Sequence, residues 1–470
     1  MTGIEEPPID DWAGYEPAFD PPEPKKIEPK TAKGTEDWVA SEFSARYGDS
    51  LKYDHSAEAW YQWTNAHWVK LEMPIAMHMA RILARELGGN GKSSFVAGAE
   101  RFAKADPMHA VTADIWDNDP MLLGTPTGTI NLRTGQQHRA KPEYMITRMT
   151  GCSPKSGTPE KWITFLNEVT GDDQGVIDYL QRLFGYCLTG DISEQALAFF
   201  HGPGGNGKGV FLNVMRSIMG TYAVTASMET FTASKHDRHP TDLAMLAGAR
   251  LVTASETEAG RSWNQQRITN ITGADPITAR FMRKDFFTYI PKFKLIIIGN
   301  YAPRLQHVDE AMKRRFNLVP FNRKPKVKNL KLQAELMEEA PMILAWALQG
   351  CLEWQKVGLV PPATITDATS EYFDDQDLFG QWIEDRCVTG KDATGREYEA
   401  SSGQLFNAWR EYAKEAAQYD KTGTTSDFAE AMEKRGFVRF RKKAMRGFKG
   451  IKLLTLSDGP QIDNHETLPF

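Results

Sequence analysis

Short runs of apolar residues, separated by helix-like segments, run through the middle of the chain. Apolar runs at residues 196–200, 251–255 and 293–298 are each of strand length. Residues 211–219 instead carry their apolar positions at helical spacing. Buried strands that alternate with helices are typical of an α/β fold, so we expect an α/β core over residues 171–327.

The segment ahead of this core mixes short strands with helices. Aromatic residues around 60–69 are typical of a hairpin, whereas residues 75–87 repeat their apolar positions with a helical period. These patterns predict an α+β N-terminal domain over residues 35–170. The predicted elements are a hairpin around Asn65-Ala66, a helix over 75–87, two short strands within 122–132 and helical segments within 162–187.

Behind the core the pattern becomes helical and then alternates again. Residues 328–358 are strongly helical and Pro361-Pro362 marks a boundary, which predicts a small helical subdomain and linker over 328–390. Residues 391–458 are typical of a winged-helix domain. Its predicted elements are helices over 402–416 and 428–435, the second capped by Thr425-Ser426-Asp427 and ended by Gly436, and wing strands at 437–440 and 451–454.

Composition and charge narrow the class of protein. The 470 residues are 41% hydrophobic and 25% charged with a net charge of −5, as in a globular protein. Prolines and acids dominate residues 1–34, which predicts a disordered tail, and 459–470 form a second tail. Four scattered cysteines without metal-ligand spacing, and the lack of a membrane-spanning apolar run, indicate a cytoplasmic protein with no membrane partner.

The strongest chemical signal is the glycine-rich stretch after the first apolar run. Gly202 to Lys208 fits the spacing G-x-x-x-x-G-K and lies between a predicted strand and a predicted helix. Glycines let backbone N–H groups point at phosphate oxygens, and the N-terminus of the helix adds partial positive charge. We therefore predict a P-loop with Lys208 on the β- and γ-phosphates of ATP. Its nucleotide-binding residues are Gly204, Gly205, Asn206, Gly207, Lys208, Gly209 and Val210.

A second stretch, Gly88-Gly89-Asn90-Gly91-Lys92-Ser93-Ser94, has similar residues in a different context. The residue five positions before Gly91 is Glu86, and residues 81–87 are the end of a predicted helix. Without a strand to anchor it, such a loop cannot present its amides rigidly, and Gly88 and Gly89 fit a helix C-cap instead. We expect a simple loop here.

Polar residues at the ends of the later apolar runs supply the rest of a candidate catalytic site. Glu256 follows 251–255, where a carboxylate can bind Mg²⁺ or polarise the attacking water, and Glu258 is the second candidate for that role. Asn300 follows 293–298. Arg314-Arg315 precede another apolar strand, where a planar guanidinium suits a transferring phosphoryl group, although a solvated basic turn is the alternative.

Two basic segments are candidates for contact with nucleic acid. The stretch 277–289 predicts a hairpin that presents Arg280, Arg283 and Lys284 among aromatic residues, which suits a single strand. Residues 434–452 hold nine basic residues and no acid, which suits a clamp on a phosphate backbone, with a solvated basic hairpin as the alternative. The candidate DNA-binding residues of this second segment are Arg439, Arg441, Lys442, Lys443, Arg446 and Lys449.

In this order and spacing, the motifs resemble those of the superfamily 3 helicases, in particular the phage and plasmid D5-like (P4 primase-type) branch. The resemblance covers most of the chain from about residue 40. The matching segments are the P-loop, Gly248–Val252 leading to Glu256, Thr272–Arg280, Asn300, Arg314-Arg315, and further toward the N-terminus Asn131–Gly135 and Gly185–Asp191.

The resemblance implies an AAA+-type core, a D5-like N-terminal domain over 35–170 and a homo-hexameric ring with ATP sites at subunit interfaces. It implies that Lys208 binds phosphate, Glu256 is the Walker B acid, Asn300 is sensor 1, and Arg314 or Arg315 reaches the ATP of the neighbouring subunit. The sensor role of Asn300 and the reach of Arg314 or Arg315 to a neighbouring subunit are taken from the family alone.

The function implied by the resemblance is that of an ATP-dependent replicative DNA helicase of phage or mobile-element type. Arg283 and Lys284 fall on the hairpin that tracks DNA. Such a protein moves 3′-to-5′ on single-stranded and forked DNA with ATP and Mg²⁺, in the bacterial or phage-infected cytoplasm. Only about 34 residues precede the helicase part, so we do not transfer the priming activity of related phage proteins to this chain. A separate primase or other replication proteins are candidate partners.

Two positions depart from the family pattern. Thr269 stands where the family usually has a lysine ahead of Thr272–Arg280, with Arg267 as a candidate stand-in. Gly209 stands where a P-loop normally carries the Ser or Thr that binds Mg²⁺. This keeps a second hypothesis open, a nucleotide-dependent DNA-binding scaffold or an origin-melting initiator with weak hydrolysis. The two hypotheses differ in whether DNA stimulates steady ATP hydrolysis.

Overall fold

The computed structural model describes residues 33–88, 91–233, 241–256, 261–305, 309–325, 329–417, 423–442 and 445–454. They form two compact units. The first comprises the chain up to Trp63 together with Val69–Ala113, and the second comprises Thr64–Trp68 together with the chain from Asp114 onward. The predicted tails, apart from Lys33 and Gly34, lie outside the described residues.

The first unit is an α+β arrangement, as the sequence predicts. Its sheet has the order β3-β2-β1-β4, with β2 antiparallel and β4 parallel to β1. The predicted hairpin and the helix over 75–87 are confirmed. The elements are α1 (Glu36–Tyr47), β1 (Leu51–Asp54), β2 (Ala59–Trp63), β3 (Trp68–Lys70), α2 (Ile75–Glu86), α3 (Ser93–Ala105) and β4 (Ala110–Val111).

The second glycine-rich stretch joins two helices of this unit. Gly91 and Lys92 connect α2 to α3, so that a helix and not a strand precedes them, and the prediction of a simple loop is confirmed. The two serines that complete its P-loop-like pattern belong to the first turn of α3. Gly89 and Asn90 lie outside the described residues.

The second unit is built on a five-stranded parallel sheet. The strands follow the order β14-β8-β13-β10-β9, so the chain begins near one side, crosses to the other and returns inward. The elements of this part are β5 (Leu122–Thr125), β6 (Gly128–Asn131), β7 (Gln136–His138), α4 (Glu160–Thr170), α5 (Gln174–Leu188), β8 (Leu197–His201), α6 (Lys208–Met219), β9 (Ala223–Thr225), α7 (Thr241–Ala244), β10 (Leu251–Glu256), α8 (Gln265–Thr272), β11 (Ile277–Ala279), β12 (Phe287–Tyr289), β13 (Lys294–Gly299), α9 (Glu310–Lys313), β14 (Phe316–Pro320), α10 (Leu332–Glu338), α11 (Ala340–Val357) and α12 (Ala363–Gln376).

Both faces of this sheet are covered by helices. Successive residues of a strand point to opposite faces, so in β8 Ala198 and Phe200 join one core and Leu197 and Phe199 join the other. The first core is closed by α4, α5, α6, α10 and α11, and the second by α8, α9 and α12. The unbroken apolar runs of the sequence are therefore explained by burial on two sides.

The packing does not divide where the sequence suggests a boundary at 170/171. Strands β5 and β6 and helix α4 lie within the second unit, where Leu123, Ile130 and Trp162 share one core with the parallel sheet. The buried carboxylate of Glu339 accepts hydrogen bonds from the N–H groups of Lys161 (3.1 Å) and Trp162 (3.0 Å) and thereby caps α4. Residues 114–170 are thus part of the body that carries the sheet.

Two buried cations attach the end of α5 to this sheet. Arg250 donates to the carbonyls of Leu188 (2.6 Å) and Leu122 (2.7 Å). Lys294 donates to the carbonyls of Thr189 and Asp191, and burial lowers its pKa to about 7. Carbonyls at the C-terminus of a helix carry partial negative charge, which favours cations there.

The C-terminal part of the second unit packs around Trp382 and Phe448. Its β17–β18 hairpin corrects the predicted wing, because β17 pairs with β18, whereas β19 pairs with β15. The module also begins before residue 391, since Trp382 and Cys387 lie in its core. Its elements are α13 (Leu378–Arg386), β15 (Cys387–Thr389), β16 (Glu399–Ser401), α14 (Ser402–Ala417), α15 (Thr425–Lys434), β17 (Val438–Arg441), β18 (Arg446–Lys449) and β19 (Ile451–Leu453).

Within the described ranges, none of the helices combines the length and the apolar composition that a membrane crossing requires.

Candidate functional site

The candidate site lies at the edge of the parallel sheet where the strands end. Glu256 of β10 is paired with Gly299 of β13, Gly299 with His201 of β8, and His201 with Pro320 of β14. These residues therefore form one row across adjacent strands, each about 4.8 Å from the next. Open α/β sheets bind ligands beyond this carboxyl edge, and the predicted P-loop begins immediately after His201.

The predicted P-loop is a tightly held turn between β8 and α6. Gly202, Gly205 and Gly207 have positive φ angles of 149°, 79° and 87°. A Cβ atom on Gly207 would lie 2.6 Å from Val169 Cγ1 and 2.9 Å from Phe165 Cε2, so α4 forms the floor of the loop. Only glycine fits such a backbone and such a close approach.

Lys208 is turned back into the loop. Its Nζ donates to the carbonyl of Gly202 (2.6 Å), to Asn206 Oδ1 (3.0 Å) and to Asn300 Oδ1 (3.2 Å). The residue is only 6% exposed, and burial lowers the pKa of its ammonium group. The structure thus brings together Lys208 and Asn300, two predicted catalytic residues 92 positions apart.

Asn206 joins the loop to the neighbouring strand. Its Nδ2 donates to the carbonyl of Phe321, directly after β14, while its Oδ1 accepts from Lys208. Gly204 and Gly205 form the exposed tip of the loop, and Val210 is half-buried in the first part of α6. The start of α6 has no side-chain cap, so its first N–H groups remain suited to an anion.

Gly209 lies in open space. A Cβ atom built on it would meet no atom within 4 Å, and its backbone belongs to α6. The packing would therefore allow the Ser or Thr that a P-loop normally carries at this position.

Glu256 is held at the carboxyl edge beside Asn300. It is 5% exposed, and a Cβ atom on the paired Gly299 would lie 3.2 Å from its own Cβ. Within the described residues no group of three or more His, Cys, Asp or Glu side chains could hold a metal. One carboxylate fits the way Mg²⁺ is held by one or two carboxylates together with phosphates and waters. Glu258 lies outside the described residues.

The two candidate arginines lie at the opposite edge of the same sheet. They precede β14, and the carbonyl of Arg315 accepts from the N–H of Leu197 at the start of β8 (2.7 Å). The length of β14 places them about 16 Å from the row that contains His201. The structure therefore does not bring them to the P-loop of their own chain.

Arg314 and Arg315 have different surroundings. Arg315 is buried, and it donates to the carbonyl of Ala311 (2.8 Å) and to Gln195 Oε1 (2.8 Å). Burial lowers the pKa of its guanidinium group. Arg314 is exposed to solvent.

The predicted basic hairpin is confirmed as the β11–β12 pair. Arg283 and Lys284 are exposed in its tip, and Arg283 has a φ of 61°. Arg280 is half-buried, and its guanidinium carbon lies 4.5 Å from the centre of the Phe286 ring. The tip thus combines cationic and aromatic groups.

The basic residues of the β17–β18 hairpin are partly paired with acids. Arg439 lies 2.7 Å from Glu433, and Lys442 forms an ion pair with Glu399. Arg441 stands directly opposite Arg446, an arrangement in which like charges repel unless an anion is bound between them. Lys449 is half-buried, and Lys443 lies outside the described residues.

Sequence reasoning missed the residues that support the P-loop from a distance. Phe165 and Val169 of α4 lie under Gly207, and the carbonyl of Phe321 holds Asn206. His201 Nε2 is 3.1 Å from the carbonyl of Asn300. No local pattern marks these residues, because their role depends only on what the fold places next to them.

Comparisons with known proteins cover both units. Residues 40–171 match the model of the family described as D5 N terminal like, and residues 200–315 match a family of unknown function (DUF5906). The chain is 26% identical over 267 residues to the helicase-named protein 022R of Frog virus 3 (isolate Goorha), which is 52% of this chain and 27% of that protein. It is 26% identical over 300 residues to the helicase-named L207/L206 of Acanthamoeba polyphaga mimivirus, which is 58% of this chain and 31% of that protein.

The matched region spans about a quarter to a third of the length of these curated relatives. Among solved structures, an apo form of the NrS-1 C terminal region is similar over 89% of this chain and 100% of that chain, with 11% identity and a TM-score of 0.49. The N-terminal family match and the helicase-named viral relatives show that parts of this chain are similar to D5-like phage and viral helicases.

Proposed function

We propose that the protein is an ATP-driven helicase that moves along single-stranded DNA as a ring of identical subunits. The observation that carries the proposal is the contact of Lys208 Nζ with Asn300 Oδ1 (3.2 Å) at the edge that also holds Glu256. A P-loop lysine, a polar strand end and a buried carboxylate are the groups that phosphoryl transfer to water requires.

The strand order supports an AAA+-type core. Numbered along the chain, the five parallel strands follow the spatial order 5-1-4-3-2, so the strand that bears Asn300 lies between the P-loop strand and the Glu256 strand. This order brings the ends of all three strands to the same edge of the sheet, next to the P-loop. The D5-like family match supports the same assignment.

The side chains divide the chemistry of hydrolysis among them. Lys208 exchanges its present oxygen acceptors for the β- and γ-phosphates, and the N-terminus of α6 binds the same phosphates through its N–H groups. Glu256 polarises the attacking water, and Asn300 orients it. Glu256 would be the protein group that holds a magnesium ion, which would neutralise charge on the phosphates.

Arg314 is the arginine that acts on a neighbouring subunit. Arg315 is buried and donates to two acceptors within its own chain, whereas Arg314 is exposed at the edge remote from its own P-loop. An arginine in that place can reach a nucleotide only if another copy of the chain binds it, which fits ATP sites between subunits. Arg314→Ala subunits mixed into wild-type rings should then lower hydrolysis more than in proportion to their share.

The β11–β12 hairpin and the β17–β18 hairpin are the proposed DNA contacts. The first combines Arg283 and Lys284 with aromatic rings, which suits a single strand. The second carries Arg441 opposite Arg446, which suits a phosphate of a duplex or fork. The names of the viral relatives support a helicase, and unwinding of forks with opposite tails tests the expected 3′-to-5′ direction.

The test of the proposal is steady-state ATP hydrolysis with and without single-stranded DNA. The wild type should be stimulated by DNA, and Glu256→Gln should lose about 100-fold or more of the stimulated rate while nucleotide binding persists. Glu335→Gln, a half-buried carboxylate of α10 that accepts from Asn329, is the matched control and should retain the full rate. A wild type whose hydrolysis ignores DNA would contradict the proposal.

Gly209 favours a second candidate, a nucleotide-dependent DNA-binding scaffold or origin-melting initiator with weak hydrolysis. The residue lacks the hydroxyl that binds the magnesium of the nucleotide, although a side chain fits there. Gly209→Ser should raise the hydrolysis rate of a scaffold several-fold. An efficient motor should change little, since its active site already works with glycine.

A further inference from the structure

The tip of the β11–β12 hairpin contains an open-ended aromatic stack. The rings of Phe281 and Phe287 are stacked with centroids 5.9 Å apart and an interplanar angle of 20°. Phe287 and Tyr289 follow at 5.9 Å and 30°. Phe287 and Tyr289 are half-buried, whereas Phe281 at the outer end is 44% exposed.

This stack is anchored at its inner end. The hydroxyl of Tyr289 donates to the carbonyl of Leu243 (2.6 Å), and Thr241 Oγ1 donates to the carbonyl of Arg280 (3.3 Å). Both anchors come from α7, which lies against the base of the hairpin. The outer ring is therefore held in place before any ligand arrives, which lowers the entropic cost of stacking on it.

The charges around the exposed ring select an anionic ligand. Arg283 and Lys284 are exposed in the same tip, with Asp285 as the single acid between Ala279 and Phe287. Phe286 is also exposed, but one face of its ring is already occupied by the Arg280 guanidinium. Phe281 is thus the ring of this tip on which a further ring could stack, close in sequence to Arg283 and Lys284.

We propose that Phe281 is a stacking platform for an unpaired base of single-stranded nucleic acid, with Arg283 and Lys284 contacting the adjacent phosphates. This inference deepens the proposed function and rests on it, since it names what the hairpin reads. An aromatic ring can stack on any unpaired base, whereas the bases inside a duplex are already stacked on one another. The platform therefore recognises single strands without sequence preference. It is a binding residue distinct from the basic residues that sequence reasoning selected.

A neighbouring copy of the chain is the other occupant that an exposed ring could meet. If Phe281 packs against a neighbouring subunit, the contact depends on assembly of the protein and does not depend on the bases of the oligonucleotide. An oligonucleotide that contains abasic sites keeps the phosphates and lacks the bases, so it separates stacking from every other contribution. The oligomeric state of each variant, measured by sedimentation, separates base stacking from contact between subunits.

The experiment compares binding of labelled oligo-dT and of an abasic oligonucleotide of equal length to the full chain. Phe281→Ala should weaken binding of oligo-dT about 5- to 150-fold, the range that one lost base–aromatic stack gives. It should leave binding of the abasic oligonucleotide unchanged. Phe281→Tyr should retain the affinity, and Phe281→Leu should lose it because a leucine has no π-face.

Two controls and one spectroscopic signal complete the test. Met282→Ala removes apolar surface from the same tip (71% exposed), and Phe102→Ala removes an exposed phenylalanine of α3. Neither substitution should change the affinity of the wild type for oligo-dT or for the abasic oligonucleotide. Fluorescence of 2-aminopurine in the bound strand should be quenched by the wild type and recovered with Phe281→Ala.

The outcomes separate the inference from the proposed function. If Phe281→Ala weakens binding of oligo-dT and of the abasic strand equally, base stacking is overturned. It is also overturned if the loss of affinity occurs only because the variant forms smaller assemblies in sedimentation. Wild-type protein that binds neither oligonucleotide would contradict the proposed function itself. Selective loss on oligo-dT with unchanged assembly supports the platform.

Discussion

The residues Gly-Gly-Asn-Gly-Lys occur twice in this chain, at 88–92 and at 204–208. The first copy follows helix α2 and the second follows strand β8. Lys92 is exposed to solvent, whereas Lys208 is 6% exposed and donates to acceptors in the loop and at Asn300. The same letters therefore give a surface connection in one unit and a closed loop in the other, because the second has a strand before it and a helix beneath it.

The glycines show the same difference. A Cβ atom on Gly91 would have Arg85 Nε as its nearest neighbour at 3.8 Å, whereas a Cβ on Gly207 would overlap Val169 and Phe165. Gly207 also has a φ of 87°. The first glycine is thus replaceable and the second is required by its surroundings.

The largest expected difference is between the two lysines. Lys208→Ala should reduce the DNA-stimulated rate of ATP hydrolysis about 1000-fold, because it removes a preorganised cation from the phosphates. Lys92→Ala should leave that rate unchanged. Parallel rate measurements on the two variants check this, and equal effects would show that the loops do not differ in function.

The next difference concerns the glycines. Gly207→Ala should lower the free energy of unfolding by about 2 to 3 kcal/mol, from strain at positive φ and from overlap with α4. Gly91→Ala should stay within about 0.5 kcal/mol of the wild type. Urea unfolding of the full chain measures both, and an unaffected Gly207→Ala would show that α4 yields to the added methyl.

The stability of the two units should also depend on pH in different ways. The second unit, which contains residues 204–208, should become more stable as the pH rises. Burial lowers the pKa of Lys294 to about 7, so above that pH the unfolded state binds more protons than the folded state. Stability of the second unit should therefore rise from pH 7 to 8.5, by up to about 1 kcal/mol per pH unit from this residue. Hydrogen exchange resolved by unit measures it, and Lys294→Met should remove that contribution.

The first unit should instead lose stability in acid. His109 is fully buried against Phe43 and Trp60, its Nδ1 lies 2.8 Å from the carbonyl of Leu51, and burial lowers its pKa. The unfolded state then takes up a proton more readily as the pH falls below about 6.5, which costs about 1 kcal/mol by pH 5.5. His109→Gln should weaken this pH dependence of the exchange rates in residues 36–111.

The smallest expected effect tests positive φ without steric overlap. Ala274 has a φ of 65° at the end of α8, a conformation that glycine adopts without strain. Ala274→Gly should raise the free energy of unfolding by no more than about 1 kcal/mol, since the relief is offset by the greater entropy of an unfolded glycine. A thermal melt checks the sign.

Sequence reasoning predicts well those elements of the second unit whose pattern lies within one continuous stretch of the chain. Apolar runs followed by His201-Gly202, Glu256 and Asn300 locate three neighbouring strands and the edge where they end. Local patterns also predict the β11–β12 hairpin, since alternation and a basic centre lie within one short segment.

What could not be predicted depends on residues far apart in the chain. The sequence does not distinguish Arg314 from Arg315. The fold does, because it buries Arg315, which donates hydrogen bonds to Ala311 and Gln195. The sequence pattern predicts 451–454 as the second wing strand, but β18 pairs with β17 instead, because β18 and β19 are both short and follow each other closely. The boundary at 170/171 agrees with the end of the N-terminal family match at residue 171, but no local pattern shows that α4 packs in the core of the sheet that follows it.

The floor under Gly207 bears on how the protein can be dissected. A fragment that starts at β8 keeps every residue of the nucleotide-binding motifs yet loses Phe165 and Val169. Such a fragment exposes the underside of the P-loop to water and frees its backbone to adopt other conformations. Under the proposed function, the shortest piece of this chain expected to hold a nucleotide firmly is therefore longer than its predicted motifs, and it begins ahead of α4.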